Sequence, residues 1–530
     1  MTINGKHILG FQESGTGEPV LRAVNPTSGD PLEPAFYEAH ASEVDRALRL
    51  AHEAGQVMRT FSGDRLGGLC DAVADGLDSV RKPLLARCGE ETGYPEARLA
   101  GEFARTVNQM RLFGEVARRG DWLDARIDHG DPGREPLPKP DVRSVNVPVG
   151  PVVVFGASNF PLALSAAGGD TASALAAGCP VVVKAHPSHP GTTEMIGRIM
   201  AESARGCGFP DGTLSVLQGA RPEFGASLIH HPLTAAVGFT GSLAVGRALC
   251  DIAASRPHPI PVYAEMGSIN PQFVLPGLLS HDPEGFAGAL FASMTLGNGQ
   301  FCTNPGLVFV KAGEGAERFL VRLRSLVEQS PAAPALNARV AGGFRKGLES
   351  LDALDGVEVV RAGAEVEETW AAAAVASTDL RRFQQAQAAM TEEVFGPSTL
   401  VVVCPESTDY AAVASSLPGQ LAASVHGRDG DDDELAAAGA LLGQLSRFAG
   451  RVIANGFPTG IEVCHAMHHG GPYPATSDSH FTSIGTAAIR RWGRPVCFQS
   501  MPDSLLPPAL QEANPLGLNR LVDGLPMAAR

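Results

Sequence analysis

The chain has 530 residues, a formal net charge of −15 and 44% hydrophobic residues, enough for two or more packed units with large cores. That acidic balance repels phosphates, so nucleic acids and anionic membrane surfaces are disfavoured as partners. No apolar run approaches the ~20 residues of a membrane-spanning helix, and Met1 to Phe11 lacks the basic-then-apolar pattern of a secretory leader. A cytoplasmic protein is therefore expected. Its nine cysteines are dispersed without a C-x-x-C pair, so no zinc knuckle, redox dithiol or other metal site is expected. Such a set suits a reducing compartment, where most cysteines are small buried hydrophobes.

In chain order, residues 43–120 read as helical. Leu99, Phe103, Val107, Met110 and Phe113 recur at spacings of three and four, which makes one apolar stripe, and Gly120 is a stop signal. Residues 122–148 are polar and Pro-rich and read as a projecting hairpin, matched by Pro495 to Ser500 near the other end. From 151 the pattern changes. Val152 to Phe155 is a short apolar run of the kind buried on both faces of a sheet. Pro161 opens a small-residue helix that Gly178 can close. Val181 to Val183, Leu214 to Leu217 and Ala235 to Phe239 are further strands, each trailed by a helical segment. Strands alternating with helices predict a parallel sheet covered on both faces, with ligands at the carboxyl ends of its strands. Phe273 to Leu275, Leu307 to Val310, Val357 to Val360 and Leu400 to Val403 predict a second α/β unit.

Five stretches carry chemistry. In GNGQFCTNPG (297–306) glycines and asparagines surround Cys302, so backbone N–H groups can approach whatever the sulfur attacks. No histidine is adjacent, and an inert cysteine remains an alternative. In AEMGSINP (264–271) Glu265 is either a buried base or one half of a structural ion pair. Asn159 follows the strand in PVGPVVVFGASNFP (148–161). Its amide can hold an oxyanion or simply cap a helix. In VGFTGSLAVGRAL (237–249) Gly241 and Ser242 open a helix directly after a strand, where a pyrophosphate can lie on free N–H groups. Lys184 ends a strand in VVVKAH (181–186), either as a solvated end or as a donor to a ribose.

Taken together and in this order, these residues resemble the aldehyde dehydrogenase superfamily over essentially the whole chain. Asn159, Lys184, the turn Phe239 to Ser242, Glu265, Cys302 and the TEEVFGP run at 391–397 all match its pattern. GGDTASALAAGCPVVVKAHPSHPGTTE, GQFCTNPG, NGFPTGIEV and HGGPYPATSDSHFTSIGTAAI are similar to the branch that contains α-ketoglutaric semialdehyde (2,5-dioxopentanoate) dehydrogenases and an NADP-preferring bacterial fatty-aldehyde dehydrogenase.

The resemblance implies a Rossmann-like dinucleotide-binding domain (1–121 and 149–264) and an α/β catalytic domain (265–465). It also implies a small β oligomerisation element (122–148 and 490–503), a tail (504–530) and a homodimer or homotetramer. It implies oxidation of an aldehyde to a carboxylic acid through a thioester on Cys302. Asn159 and the Cys302 N–H would hold the oxyanion, and Glu265 would activate water. Lys184, His186, Arg221, Gly241, Ser242, Glu393 and Phe395 would bind the cofactor. Relatives that prefer NAD carry a glutamate where this chain has Pro187. Without that carboxylate a 2′-phosphate is not repelled, and Arg221 can pair with it, so NADP is expected ahead of NAD. Phe160, Arg105, Gln109 and Arg111 are the expected substrate contacts, with 2,5-dioxopentanoate as the first substrate. Medium- or long-chain alkanals are the alternative. A CoA-acylating enzyme generally lacks the glutamate present here as Glu265. A non-catalytic protein on this fold is the distant alternative, since fold alone does not establish function.

Overall fold

The computed structural model describes residues 2–363, 367–428 and 430–528. Four helices, Ala41–Met58, Gly63–Ser79, Arg81–Thr92 and Glu96–Arg119, fill the region expected to be helical. The predicted stripe on the last of them is buried throughout. Gly120 ends that helix in the left-handed conformation, which glycine adopts without a Cβ clash.

The first sheet has the strand order Val262–Glu265, Ala236–Thr240, Val152–Phe155, Val181–Lys184, Leu214–Leu217, His7–Leu9, Gln12–Ser14. The first five run parallel, and the N-terminal hairpin adds an antiparallel edge. Val152–Phe155 is buried along its whole length, as its continuous apolar run requires. The register sets Phe155 opposite both Lys184 and Phe239, and Thr240 opposite Glu265. The chemistry-bearing residues therefore share one carboxyl edge, where such sheets bind ligands.

The second sheet has the order Glu358–Arg361, Ala374–Asp379, Ser398–Cys404, Leu307–Lys311, Gln272–Val274, Gln420–His426, Ala449–Ala454. It is parallel except at its first strand. Residues 470–477 return to the first sheet and close its edge: Thr476 bridges to Glu265, and Met266 N donates to Ala475 O at 2.7 Å.

Two expectations need correction. No helix opens at Pro161; the helix is Gly169–Ala176. The buried Glu102 carboxylate accepts from Leu162 N at 2.8 Å and Ala163 N at 3.0 Å. Leu164 O, which a continuing helix would offer to Gly168 N, accepts from Ala157 N instead, and 161–168 stays a compact loop. The tail at 504–530 is not separate from the β element. Arg126–Asp128, Val142–Pro148 and Gly493–Gln499 form a sheet that Arg520–Val522 and Leu525–Met527 extend. Leu506, Ala509, Leu510 and Leu518 lie in the same small core. The Leu- and Pro-rich tail lacks strand periodicity, and its strands are only three residues long.

Candidate active site

Cys302 sits in a loop whose shape is fixed by residues on both sides. Gly297, Asn298 and Gly299 all have left-handed backbone, with φ of 56°, 55° and 65°. At Gly299 a Cβ would fall 2.2 Å from the main chain of Gly396, so a side chain there would force two backbones apart. Asn298 Nδ2 donates to Ala333 O at 2.9 Å. Asn270 Nδ2 donates to Cys302 O at 2.9 Å and Asn304 O at 2.8 Å. Buried amide bonds of this kind are strong because no water replaces them once broken.

Asn159 caps no helix, since none begins near it. Its side-chain Nδ2 donates to Gln300 O at 3.0 Å, which lays the amide against the cysteine loop. Its own carbonyl accepts from Arg98 Nη2 at 2.8 Å and Tyr94 Oη at 3.2 Å. The Arg98 guanidinium stacks 3.6 Å from the Tyr94 ring centroid and lies 4.9 Å from that of Phe301. A Cβ on Gly297 would strike it at 1.8 Å. Arg98 therefore ties the helix Glu96–Arg119 to both the Asn159 turn and the cysteine loop.

His469 is the residue that sequence reasoning missed. Its Nε2 lies 3.5 Å from Cys302 Sγ and 3.0 Å from Glu265 Oε1. The ring is completely buried, and its backbone N–H donates to Thr482 Oγ1 at 2.7 Å. The Ser483 hydroxyl donates to the other Glu265 oxygen. Glu265 is thus neither a solitary base nor half of a remote ion pair: one imidazole nitrogen, Nε2, meets both the sulfur and the carboxylate, and the thiol also hydrogen-bonds Glu265 directly. Burial alone would raise the Glu265 carboxyl, but His469 and Ser483 outweigh it and hold the group below the ordinary carboxylate range. Burial, reinforced by the adjacent Glu265, pushes the Cys302 thiol well up. Both effects favour the thiol over the thiolate, and a proton acceptor lies in reach.

Around the first sheet's edge, Lys184 Nζ donates to Gly219 O at 3.0 Å and Ala185 O at 3.2 Å. Burial pushes its ammonium down to about 8. His186 Nδ1 accepts from Ser188 N at 3.2 Å, and burial first, then the neighbouring cations, hold the ring neutral. Arg221 is exposed at the start of the helix Pro222–His230, and its backbone N–H donates to Glu38 at 3.1 Å. Gly241 and Ser242 are exposed at the N-terminus of Leu243–Ala254, beside exposed Leu243 and Val245. Glu393 and Phe395 line a small cavity with Ser268 and Gly299. Burial pushes the Glu393 carboxyl up to about 8.

On the other side a cavity of about 380 Å³ is lined by Arg105, Asn108, Gln109, Leu112, Ile461 and Glu462, among others. Arg105 Nε and Nη2 and Gln109 Oε1 are buried there without a hydrogen-bond partner among the described residues. Phe160 packs edge-on against Phe301, and the Arg105 guanidinium lies 5.6 Å from its ring. Arg111 does not belong with them. It turns to the surface and pairs with Asp75 at 2.9 Å and Asp78 at 3.2 Å. Six positions along a helix is about 600° of rotation, or 240° net, so Arg111 faces away from Arg105.

The site thus brings a thiol, a carboxylate and an amide together at the carboxyl edge of a parallel α/β sheet. The aldehyde dehydrogenase family model matches residues 11–471, and the chain belongs to that family. It is an NAD(P)-dependent aldehyde dehydrogenase. It is 45% identical over 526 residues to α-ketoglutaric semialdehyde dehydrogenase 2 of Azospirillum brasilense, covering 99% of each chain. It is 40% identical over 529 residues to an α-ketoglutaric semialdehyde dehydrogenase of Acinetobacter baylyi, covering 98% of each. Among solved structures, a 1-pyrroline-5-carboxylate dehydrogenase superposes with a TM-score of 0.78 at 21% identity, covering 93% of this chain and 92% of that one. A 3,6-anhydro-L-galactose dehydrogenase superposes with a TM-score of 0.77 at 23% identity, covering 93% and 99%. Both share the fold. No helix among the described residues is long and apolar enough to cross a membrane.

Proposed function

We propose that the chain oxidises a short aldehyde acid, 2,5-dioxopentanoate first, to the dicarboxylic acid, with Cys302 as nucleophile. The observation that carries the substrate is Arg105, whose Nε and Nη2 are buried beside the cavity without a partner. A substrate carboxylate supplies what they lack, and both full-length relatives are named for this semialdehyde.

Cys302 passes its proton to the adjacent Glu265 carboxylate, which His469 and Ser483 hold in place, and attacks the aldehyde carbon. The oxyanion is met by the Asn159 amide and the Cys302 N–H, preorganised donors whose removal typically costs about 2.7–4 kcal/mol each. The nicotinamide cofactor, when bound, accepts the hydride. Glu265, relieved of the thiol's proton, then takes one from water to release the acid.

The residues at the sheet edge fit that cofactor. The exposed helix N-terminus at Ser242 suits a pyrophosphate, and Leu243 and Val245 offer an apolar face to a flat ring. Lys184 and Glu393 would hold the two riboses, with Phe395 beside the nicotinamide. Glu38 is the acid nearest in kind to the glutamate that Pro187 replaces, but its oxygens accept from Ala220 and Arg221 N–H groups. A 2′-phosphate therefore meets the Arg221 guanidinium and the neutral His186 ring, and NADP is preferred over NAD. Residues 1–121 and 149–264 form the dinucleotide-binding domain and 265–465 the catalytic one. The strand Gly493–Gln499 ends its sheet, so it is the edge through which two copies would join as a homodimer or homotetramer.

Arg105→Met tests the substrate. A charged hydrogen bond contributes about 1.5–3 kcal/mol, so kcat/KM for the aldehyde acid should fall about ten- to a hundredfold. The rate with the matching alkanal should barely move. If a long alkanal is the better substrate of the parent enzyme, the fatty-aldehyde reading replaces this one.

Two further variants test the positioning around Cys302. His469→Gln should lower kcat about a hundred- to a thousandfold. The Cys302 thiol ionises as pH rises, so kcat/KM rises with pH, and without the imidazole beside the sulfur that rise should move to higher pH. An unmoved profile would leave His469 with packing alone. Arg98→Met should cut kcat about tenfold or more, the scale of losing a charged hydrogen bond, while cofactor Kd stays put and Lys restores part of the loss. A rise in KM with kcat unchanged would place Arg98 in substrate binding instead.

A further inference from the structure

The cluster of sulfur, imidazole and carboxylate has another chemical property, independent of catalysis. Sγ of Cys302, Nε2 of His469 and Oε1 of Glu265 face one another. The Sγ–Nε2 and Nε2–Oε1 separations are 3.5 and 3.0 Å, and the donor atoms of the three residues all lie within 4.8 Å. Zinc bonds of about 2.0–2.3 Å place tetrahedral neighbours about 3.3–3.7 Å apart, so the three atoms need only small movements to share one ion. Thiolate, imidazole and carboxylate are a donor set that favours soft or borderline cations over magnesium or calcium. Sequence spacing hid the group, since His469 lies 167 residues from Cys302 and 204 from Glu265.

We propose that Cys302, His469 and Glu265 form a three-ligand site for a thiophilic divalent cation of the zinc class, whose binding reversibly blocks the enzyme. The ion takes the sulfur lone pair that would attack the aldehyde. Binding releases the thiol proton to solvent, forms the metal–sulfur, metal–nitrogen and metal–oxygen bonds, and leaves the imidazole proton on Nδ1. No oxidation state changes. Cys302 is only partly buried, so the fourth position opens towards the space an aldehyde would use.

The surroundings argue for reversible inhibition and against a resident metal. Ser483 supports the carboxylate from behind. His469 Nδ1, however, is buried with no hydrogen-bond partner among the described residues. Metal-bound histidines almost always pass that proton to an outer acceptor, and its loss typically costs 10–100-fold in affinity. The ligands are thus placed for metal, but the imidazole is not built to keep it.

The test uses the full-length, cofactor-free enzyme and zinc alone, at free concentrations set by a metal buffer. One zinc per chain should bind in competition with a chromogenic chelator. Iodoacetamide labelling of Cys302 should slow about tenfold or more and recover on adding EDTA. Cadmium in place of zinc should give the ultraviolet thiolate-to-metal band. Cys302→Ala and His469→Gln should each weaken binding by on the order of a hundredfold, as loss of a direct ligand should cost at least as much as loss of an outer one. If His469→Gln does not fold, Cys302→Ala and the cadmium band carry the result. Unchanged labelling in zinc, or parental affinity in Cys302→Ala, overturns the proposal. No substrate or cofactor is present, so a failure of the catalytic reading would not alter these readings.

Discussion

Cys302→Ser loses at least about four orders of magnitude in kcat, while the Kd for NADP changes less than about twofold. Four orders correspond to about 5.5 kcal/mol in the barrier. The argument is electrostatic. A serine hydroxyl ionises far less readily than a thiol, and the site already disfavours an anion there: burial, then Glu265, push even the thiol upward. In the proposed mechanism the adjacent Glu265 carboxylate is a base strong enough for a thiol and too weak for an alcohol. The cofactor should not notice the change, because its proposed contacts at Lys184, Ser242 and Glu393 come from other loops and Cys302 holds none of them. Steady-state rates and a fluorescence titration of the cofactor check both halves. A serine variant within about tenfold of the parent would mean that another group is the nucleophile, with the half-buried Cys250 and Cys464 as the first to test.

Much of this site was legible in the sequence for a physical reason. A buried parallel strand writes a continuous apolar run, so Val152–Phe155 and Val181–Lys184 announced both their existence and where their carboxyl ends fall. Asn159, just past the end of Val152–Phe155, inherits its position from that strand, whereas Glu265 ends a strand of its own, Val262–Glu265, that the sequence pattern did not announce. The cysteine loop was legible because its glycines are required: Gly299 must pass against the main chain of Gly396. His469 was not legible in this way. It lies on no regular element, and its neighbours come from 204 and 167 residues away. The H-G-G-P-Y-P run marked a similarity, but nothing in its local pattern assigned a partner. The expected helix at Pro161 does not propagate because Leu164 O, which a continuing helix would offer to Gly168 N, accepts from Ala157 N instead. Arg105 and Arg111 look equivalent in sequence. Only the rotation between them, together with Asp75 and Asp78 at the surface, separates a cavity residue from a surface ion pair.

Glu265→Gln isolates the step after oxidation. The amide keeps the shape of the carboxylate and its contacts with His469 and Ser483, but it cannot take a proton from water. General-base losses are typically 10²–10⁴-fold, so turnover should fall by about that factor and the intermediate before hydrolysis should accumulate. The measurement is the mass of this variant after mixing with the aldehyde acid and NADP and quenching in acid. The account predicts one adduct per chain, equal in mass to the aldehyde less two hydrogens, mapping to the Cys302 peptide and absent when the cofactor is omitted. An adduct on another residue, or a slow variant that carries none, would contradict a thioester on Cys302.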